Sequence, residues 1–347
     1  MQLLDFEKPA AELERELEKL RAKSASQDID LSAEISTMES KLADTRAKIY
    51  ENLTPWQRVQ IARHTSRPFM LDYVAHAFTD FCELHGDRHI GDDASMPGGF
   101  ARLGDRRVVV IGHQKGRDTK ENLKRNFGSA HPEGYRKAMR AFELAERLHL
   151  PLLTLIDTPG AHPGPESEQH GIAEAIAAAI SKMTELRTPI VTVVTGEGGS
   201  GGALAIAAAD RVFAFEHAYY SVISPEGCAA ILFRTSEKAP AAARALRITA
   251  PEQVALGVVD GIIAEPETLS AESTITLARA MWEKVSATFD ELESMSDLNA
   301  LLDARYARYR AYGAFDEAAV SKKGIVGTIR SIFGMDRDKV PAGINDE

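Results

Sequence analysis

Five of the seven residues from 196 to 202 are glycine, in the order Gly196-Glu197-Gly198-Gly199-Ser200-Gly201-Gly202. The run follows the apolar stretch of residues 190–194 and precedes a short apolar segment, residues 203–209. Glycine between a strand and a helix lets a ligand approach the main chain, because no Cβ stands in the way. The free N–H groups at a helix N-terminus point outward and favour negative charge. The chain therefore has to place a buried strand, a tight glycine turn and a helix in succession, with a main-chain anion hole between them.

The neighbouring sequence repeats that alternation. Residues 108–111, 152–156, 190–194, 211–215 and 219–223 read as strands. Residues 133–149, 166–186 and 203–209 read as helices, the first opened by Pro132. Thr249-Ala250-Pro251-Glu252 has the form of a capping box. Residues 55–265 are thus an α/β domain with helices covering sheet layers. Before it, residues 1–54 carry two apolar stripes, Leu13-Leu17-Leu20 and Leu31-Ile35-Met38-Leu42-Ile49. Asp28 and Asp30 mark a turn between them, giving a helical hairpin. Residues 266–312 read as C-terminal helices. Residues 313–347 read as an appended tail with one amphipathic segment at 325–333.

Composition removes several classes of function. A formal net charge of -10 argues against binding nucleic acid or anionic lipid over the whole surface. Cys82 and Cys228 are the only cysteines and form no C-x-x-C pair, so this chain encodes no zinc ribbon and no metal site is expected in it. That usage fits a reducing compartment. No basic leader opens the sequence and no run of about 18 apolar residues occurs, so the expected location is cytoplasmic, away from membrane.

The glycine cluster admits four readings. A Walker loop needs Gly-Lys-Ser/Thr, and no glycine here is followed by lysine. A dinucleotide site fits Gly196, Gly198 and Gly201 as G-x-G-x-x-G, with Glu216 twenty residues on. Against it, the following helix, counted from Gly201 to Ala209, is only about 13 Å long, and the short link after Glu216 reads as a hairpin, where a parallel unit needs a crossover. A nucleophile elbow fits Gly198-Gly199-Ser200-Gly201-Gly202. However, His217 is the only histidine after Ser200, and Asp210 and Glu216 lie on one short strand or at its edges. An oxyanion hole needs paired backbone amides, small side chains and no ionisable nucleophile, and the cluster supplies all three. A tight turn that binds nothing needs fewer glycines.

Several further segments carry a family resemblance. They are Gly112-His113-Gln114-Lys115-Gly116-Arg117-Asp118-Thr119-Lys120-Glu121, Arg125-Asn126-Phe127-Gly128, Pro132-Glu133-Gly134-Tyr135-Arg136-Lys137-Ala138, Asp157-Thr158-Pro159-Gly160-Ala161, the glycine cluster, and Ser221-Val222-Ile223-Ser224-Pro225-Glu226-Gly227-Cys228. In this order, from Leu4 to about Tyr312, they resemble the carboxyltransferase alpha-subunit family of multi-subunit acetyl-CoA carboxylases. The resemblance implies a crotonase-like α/β fold, with a β-β-α spiral core. It implies an α2β2 assembly whose active site lies at the subunit interface, with the zinc ribbon and most of the acetyl-CoA site on the beta partner. The implied reaction carries a carboxyl group from carboxybiotin, borne on a separate biotin carboxyl carrier protein, to acetyl-CoA, giving malonyl-CoA for fatty acid synthesis. ATP is used by a separate biotin carboxylase.

By the same resemblance Gly201 and Gly202 serve the biotin oxyanion, Gly198 and Gly199 shape the loop, and Gly160 and Ala161 line the pocket. Arg117 would hold a carboxylate or enolate; an ordinary surface arginine is the alternative. Lys120 and Arg125, with Lys115 and Lys124, make a basic stretch suited to CoA phosphates or to a solvated face. Glu226 is expected to pair with a cation, Cys228 to be a buried small residue, and His113 and His217 to be structural. Two other functions compete: another acyl-CoA enzyme of the same fold, such as a hydratase, and a non-catalytic assembly subunit that docks through the hairpin.

Overall fold

The computed structural model describes residues 3–313, apart from 28, 268 and 296. Residues up to Arg310 form one compact unit. The tail expected after Gly313, with its segment at 325–333, lies outside the described residues.

Helices α1 (Lys8–Gln27) and α2 (Ser32–Glu51) form the expected hairpin. It buries Ala10, Leu17 and Leu42, with Leu13, Ile35, Met38 and Ile49 packed around them. Helix α3 (Pro55–Ala62) starts with Pro at its first position, and Thr54 Oγ1 accepts from the Gln57 N–H at 3.3 Å. Helix α4 (Met70–Ala77) leads to strand β1 (Thr79–Glu83), then β2 (Gly98–Leu103) and β3 (Arg106–Gly112). These three strands are antiparallel. After the short α5 (Thr119–Lys124), helix α6 (Pro132–Arg147) crosses to β4 (Leu152–Thr158). Helices α7 (Pro165–Gln169) and α8 (Ile172–Glu185) cross to β5 (Ile190–Gly199). β3, β4 and β5 are mutually parallel. Both β4 and β5 are buried along their whole length. A parallel strand covered on both faces reads as an unbroken apolar run, which is why these two are the clearest in the sequence.

The chain then forms α9 (Ser200–Leu204), β6 (Arg211–Phe215), β7 (Tyr219–Ser221), α10 (Pro225–Phe233), α11 (Ala239–Leu246), α12 (Ala250–Ala255), β8 (Gly261–Ile263), α13 (Ala271–Glu293) and α14 (Leu298–Arg310). The sheet order is β1-β2-β3-β4-β5-β6-β8, with β7 beside β5. The capping box at Thr249 is present: the Glu252 carboxylate accepts from the Thr249 N–H at 3.2 Å and from its hydroxyl at 2.7 Å. Arg305 of α14 is buried, donates to both Asp210 oxygens at 2.7 and 2.8 Å, and reaches the carbonyls of Met183, Leu186 and Thr188.

Several expectations need correction. The hairpin read after Glu216 is absent. β6 runs parallel to Val191–Val194 of β5, and β7 runs parallel to Glu197–Gly199 of the same strand. β5 is long enough to pair with two successive short strands, so the link from 215 to 219 only steps along it, and strand direction does not reverse. The glycine cluster is also less of a loop than expected, because Gly196, Gly198 and Gly199 belong to β5 itself. The helix after it begins at Ser200, not 203, and spans five residues. Residues 166–186 hold two helices, broken at Gly171 with φ +80°, and residues 270–312 hold α13 and α14. β1 and β2 escape a sequence reading because β2 opens on Gly98-Gly99, which resembles a turn. A Cβ at Gly98 would lie 2.6 Å from the Ile111 side chain, and one at Gly99 would lie 2.0 Å from the Cys82 carbonyl oxygen. Those glycines mark close strand packing.

Candidate active site

The C-terminal ends of β4 and β5 build the site. Thr158 of β4 pairs with Gly198 of β5, and Pro159-Gly160-Ala161 then crosses against the start of α9. The contact is main chain on main chain. A Cβ at Gly199 would lie 2.2 Å from the Pro159 carbonyl oxygen, and one at Gly202 would lie 2.4 Å from the Ala161 nitrogen. One at Gly196 would meet the Asp157 carboxylate at 2.5 Å, and one at Gly198 the Tyr220 ring at 2.8 Å. Four of the five glycines therefore exist because something packs where a side chain would be.

Gly201 is the exception. Its Cβ would sit 3.5 Å from Ile176, an ordinary contact. The residue before it, Ser200, has φ +53°, a left-handed conformation that costs about 1–3 kcal/mol in a non-glycine residue. That bend starts α9 abruptly, and the N–H groups of Gly201 and Gly202 precede the first intrahelical bond. Among the described residues no loop carbonyl or side chain accepts from either. Gly201 lies in the wall of a cleft of about 330 Å³, with Ser200, Leu204, Tyr220, Val222 and Ile248 around it.

Beneath the glycine turn is a cluster of charges. Lys115, just after β3, donates to Asp157 Oδ1 at 2.6 Å and to Glu197 Oε1 at 2.8 Å. Arg63 Nε donates to Glu197 Oε2 at 2.7 Å, and its other nitrogens donate to both Glu226 oxygens at 2.5 and 3.3 Å. The Tyr219 hydroxyl donates to Glu197 Oε2 at 2.5 Å. Burial opposes the charge on Glu197, but Lys115 and Arg63 outweigh it and hold its pKa down to about 2. Burial likewise opposes the charge on Lys115, and Asp157 and Glu197 together hold its pKa above the ordinary lysine value. The expected pairing of Glu226 with a cation is present, and Cys228 is buried.

The other expected site residues divide. Gly160, at φ +147°, and Ala161 lie against the glycine turn. Arg117 is engaged elsewhere. It pairs with Asp72, donates to the Thr65 and Arg67 carbonyls at 3.0 and 2.8 Å, and stacks on Phe69 at 4.2 Å. With its donor fork committed this way, it clamps the segment before α5 onto α4. Arg125 donates to Glu121 at 2.9 Å and to the Ala94 carbonyl at 2.8 Å. Lys120 is exposed. No contact joins these three to the glycine turn among the described residues. The sequence reading overlooks Arg63 and the pairing of Glu197. The available signal is a glutamate inside a glycine run at the end of a buried strand, which has to find a cation.

His113 is fully buried, and neither ring nitrogen has a partner among the described residues. Burial, and Lys115 nearby, lower its pKa from 6.5 to about 3. The unfolded chain therefore binds one more proton than the native one between those values. Stability is complete above pH 6.5 and is expected to fall by about 1.4 kcal/mol per pH unit as acidity increases toward pH 3. Urea melts at pH 7.5 and 5.5 check this. His113→Gln should flatten the slope, and an unchanged slope would assign it to another group.

The chain matches the family described as acetyl co-enzyme A carboxylase carboxyltransferase-like over residues 3–313. It is 54% identical over 314 residues to the acetyl-coenzyme A carboxylase carboxyl transferase subunit alpha of a Thermus thermophilus strain, covering 90% of this chain and 99% of that one. It is 49% identical to the protein of the same name from Geobacter metallireducens, covering 90% and 98%. Among solved structures, transcarboxylase 12S with methylmalonyl-coenzyme A and methylmalonic acid bound superposes with a TM-score of 0.50 at 24% identity, over 62% of this chain and 41% of that one. That likeness is one of fold, and the fold is crotonase-like. The chain belongs to the acetyl-coenzyme A carboxylase carboxyltransferase family.

Proposed function

We propose that this chain is the alpha subunit of a biotin-dependent carboxyltransferase that works with a zinc-ribbon beta subunit, as α2β2, to convert acetyl-CoA to malonyl-CoA in the cytoplasm. The observation that carries the reading is the pair of N–H groups at Gly201 and Gly202 that precede the first bond of α9, with Gly201 on the wall of a largely apolar cleft and Gly202 buried directly behind it. When bound, carboxybiotin from a separate carrier protein, charged by a separate biotin carboxylase, supplies the carboxyl group and leaves negative charge on its ureido oxygen. The residues present fit that group. Two neutral main-chain donors suit a planar urea oxygen, and Gly201 lines the cleft without a side chain of its own.

The work of this chain is to hold and orient. The Gly201 and Gly202 amides strengthen their hydrogen bonds as charge grows on the oxygen they face, and they bring no competing proton. Leu204, Val222 and Ile248 keep the cleft apolar, which raises the value of those bonds. Gly198 and Gly199, paired in the sheet, and Gly160 and Ala161, packed behind the turn, fix its position. The beta partner would hold the acyl-CoA enolate. A hydratase needs acidic groups free to activate water. The carboxylates nearest the turn, Asp157 and Glu197, are held by Lys115 and Arg63, which favours carboxyl transfer.

Co-expression with a zinc-ribbon subunit should yield a stable complex that consumes malonyl-CoA only when free biotin is supplied. A chain that purifies alone and adds nothing to the partner's activity would overturn the reading.

A further inference from the structure

The β4–β5 ladder is irregular at one place. Ile156 pairs with Val194, and the next pair is Thr158 with Gly198. One residue on β4 therefore faces three on β5, and the ladder bonds that would fix the strand ends against each other are interrupted. The interruption lies immediately before the glycine turn. Side chains bridge it. The Glu197 N–H donates to Asp157 Oδ1 at 3.0 Å, and Thr195 Oγ1 donates to the Ile156 carbonyl at 3.1 Å. Lys115 Nζ reaches Asp157 on one side of the gap and Glu197 on the other. The Lys115 stem is itself held, since a Cβ at Gly128 would lie 2.8 Å from its Cγ.

We propose that Lys115 is a positioning residue of the transfer reaction: largely enclosed beside the broken β4–β5 ladder, its ammonium holds Asp157 and Glu197 together and so sets the register of the two segments, 158–161 and 198–202, that frame the anion hole. This rests on the reading of the site given under Proposed function.

Charge adds to geometry. The groups facing Lys115 are Asp157 and Glu197, with the neutral His113 close by. Arg63, Tyr219 and Glu226 complete the cluster through Glu197, and the charge of Arg67 acts on Asp157. Arg63 and Lys115 balance all but one of the three carboxylates. Without Lys115 two negative charges go unopposed beside amides that must receive an anion.

The test uses the complex with the beta subunit and the malonyl-CoA/biotin exchange rate. Lys115→Met should lower kcat by about 50-fold or more, with KM for malonyl-CoA changed less than about twofold, because no substrate group touches the lysine. Glu197, no longer held by Lys115, should then bind a proton at higher pH than in the native cluster. The ratio of native to Lys115→Met kcat is therefore expected to shrink as pH falls from about 8.5 to 6.5.

Lys115→Met/Glu197→Gln restores the charge balance and carries the test if the single variant fails to fold. It should melt near the native temperature yet stay at least about tenfold slow, since the bridge across the gap is still missing. Native rate in a double variant of native stability would overturn the inference, as would a single-variant deficit independent of pH. A native complex with no exchange activity would instead sink the reading beneath it.

Discussion

Gly201→Val is expected to slow carboxyl transfer by about 10²–10³-fold, the loss of roughly one oxyanion donor, in a complex whose melting temperature hardly moves. The position permits this separation of effects. Gly201 has no left-handed φ, and the first atom of a side chain would rest 3.5 Å from Ile176, in ordinary contact. Valine therefore fits the fold, and the loss of rate is expected because it adds bulk at the residue that supplies one of the two proposed donors. Gly202→Ala and Gly199→Ala make the contrast. Their Cβ atoms would press on Ala161 and Pro159 main chain at 2.4 and 2.2 Å. Backbone cannot give way cheaply there, so those variants should lose stability and activity together. Exchange rates and thermal melts on the three complexes, side by side, decide the matter. Full rate from the Gly201→Val complex would mean that the amides are not the donors.

These contrasts bear on what a sequence can say. The buried parallel strands are legible at residues 152–156 and 190–194, because burial on both faces writes an unbroken apolar run. The helical hairpin is legible from its leucine stripe. The edge of the sheet is not: β1 is half exposed and β2 starts on glycines chosen for close packing, so neither shows a periodicity. The direction of β7 is easily misread because local spacing is silent about which partner a strand chooses, and β5 has length enough for two. At the site, glycine density locates the turn, but it cannot separate the one glycine whose side chain would meet only an ordinary contact from the four where a side chain would clash. That distinction depends on Pro159, Ala161, Asp157 and Tyr220, which arrive from elsewhere in the chain. The same holds for the charges. Lys115 reads as one of several basic residues near Arg117, and only the fold puts it under the turn while leaving Lys120 exposed and Arg117 clamped to Asp72.

The second large effect should appear in stability. The side chains of Arg67 and Glu265 are both fully buried, joined by two bonds at 2.9 and 2.6 Å. Arg67 Nε also donates to the Thr195 carbonyl at 2.5 Å, inside the irregular stretch of β5, and Glu265 accepts from the His217 N–H at 2.9 Å. The pair ties the loop before α4, the end of β5 and the segment after β8 into one block under the glycine turn. Arg67→Met removes the cation and leaves a carboxylate without its partner in the interior, at a cost of about 3–5 kcal/mol. The melting temperature should drop by roughly 10 °C for a domain of this size. Arg67→Met/Glu265→Met should recover more than half of that loss, because an apolar pair of similar volume avoids the stranded charge, although the bonds to Thr195 and His217 stay lost. The exchange rate of the double variant then reads a different quantity from its melt. With the block intact in volume but the Thr195 anchor gone, the glycine turn should be less well held, and kcat should remain several-fold below native even where the fold has recovered. Melts in which the single and double variants fall equally would show that packing volume around Arg67, not the charge pair, holds this part of the core.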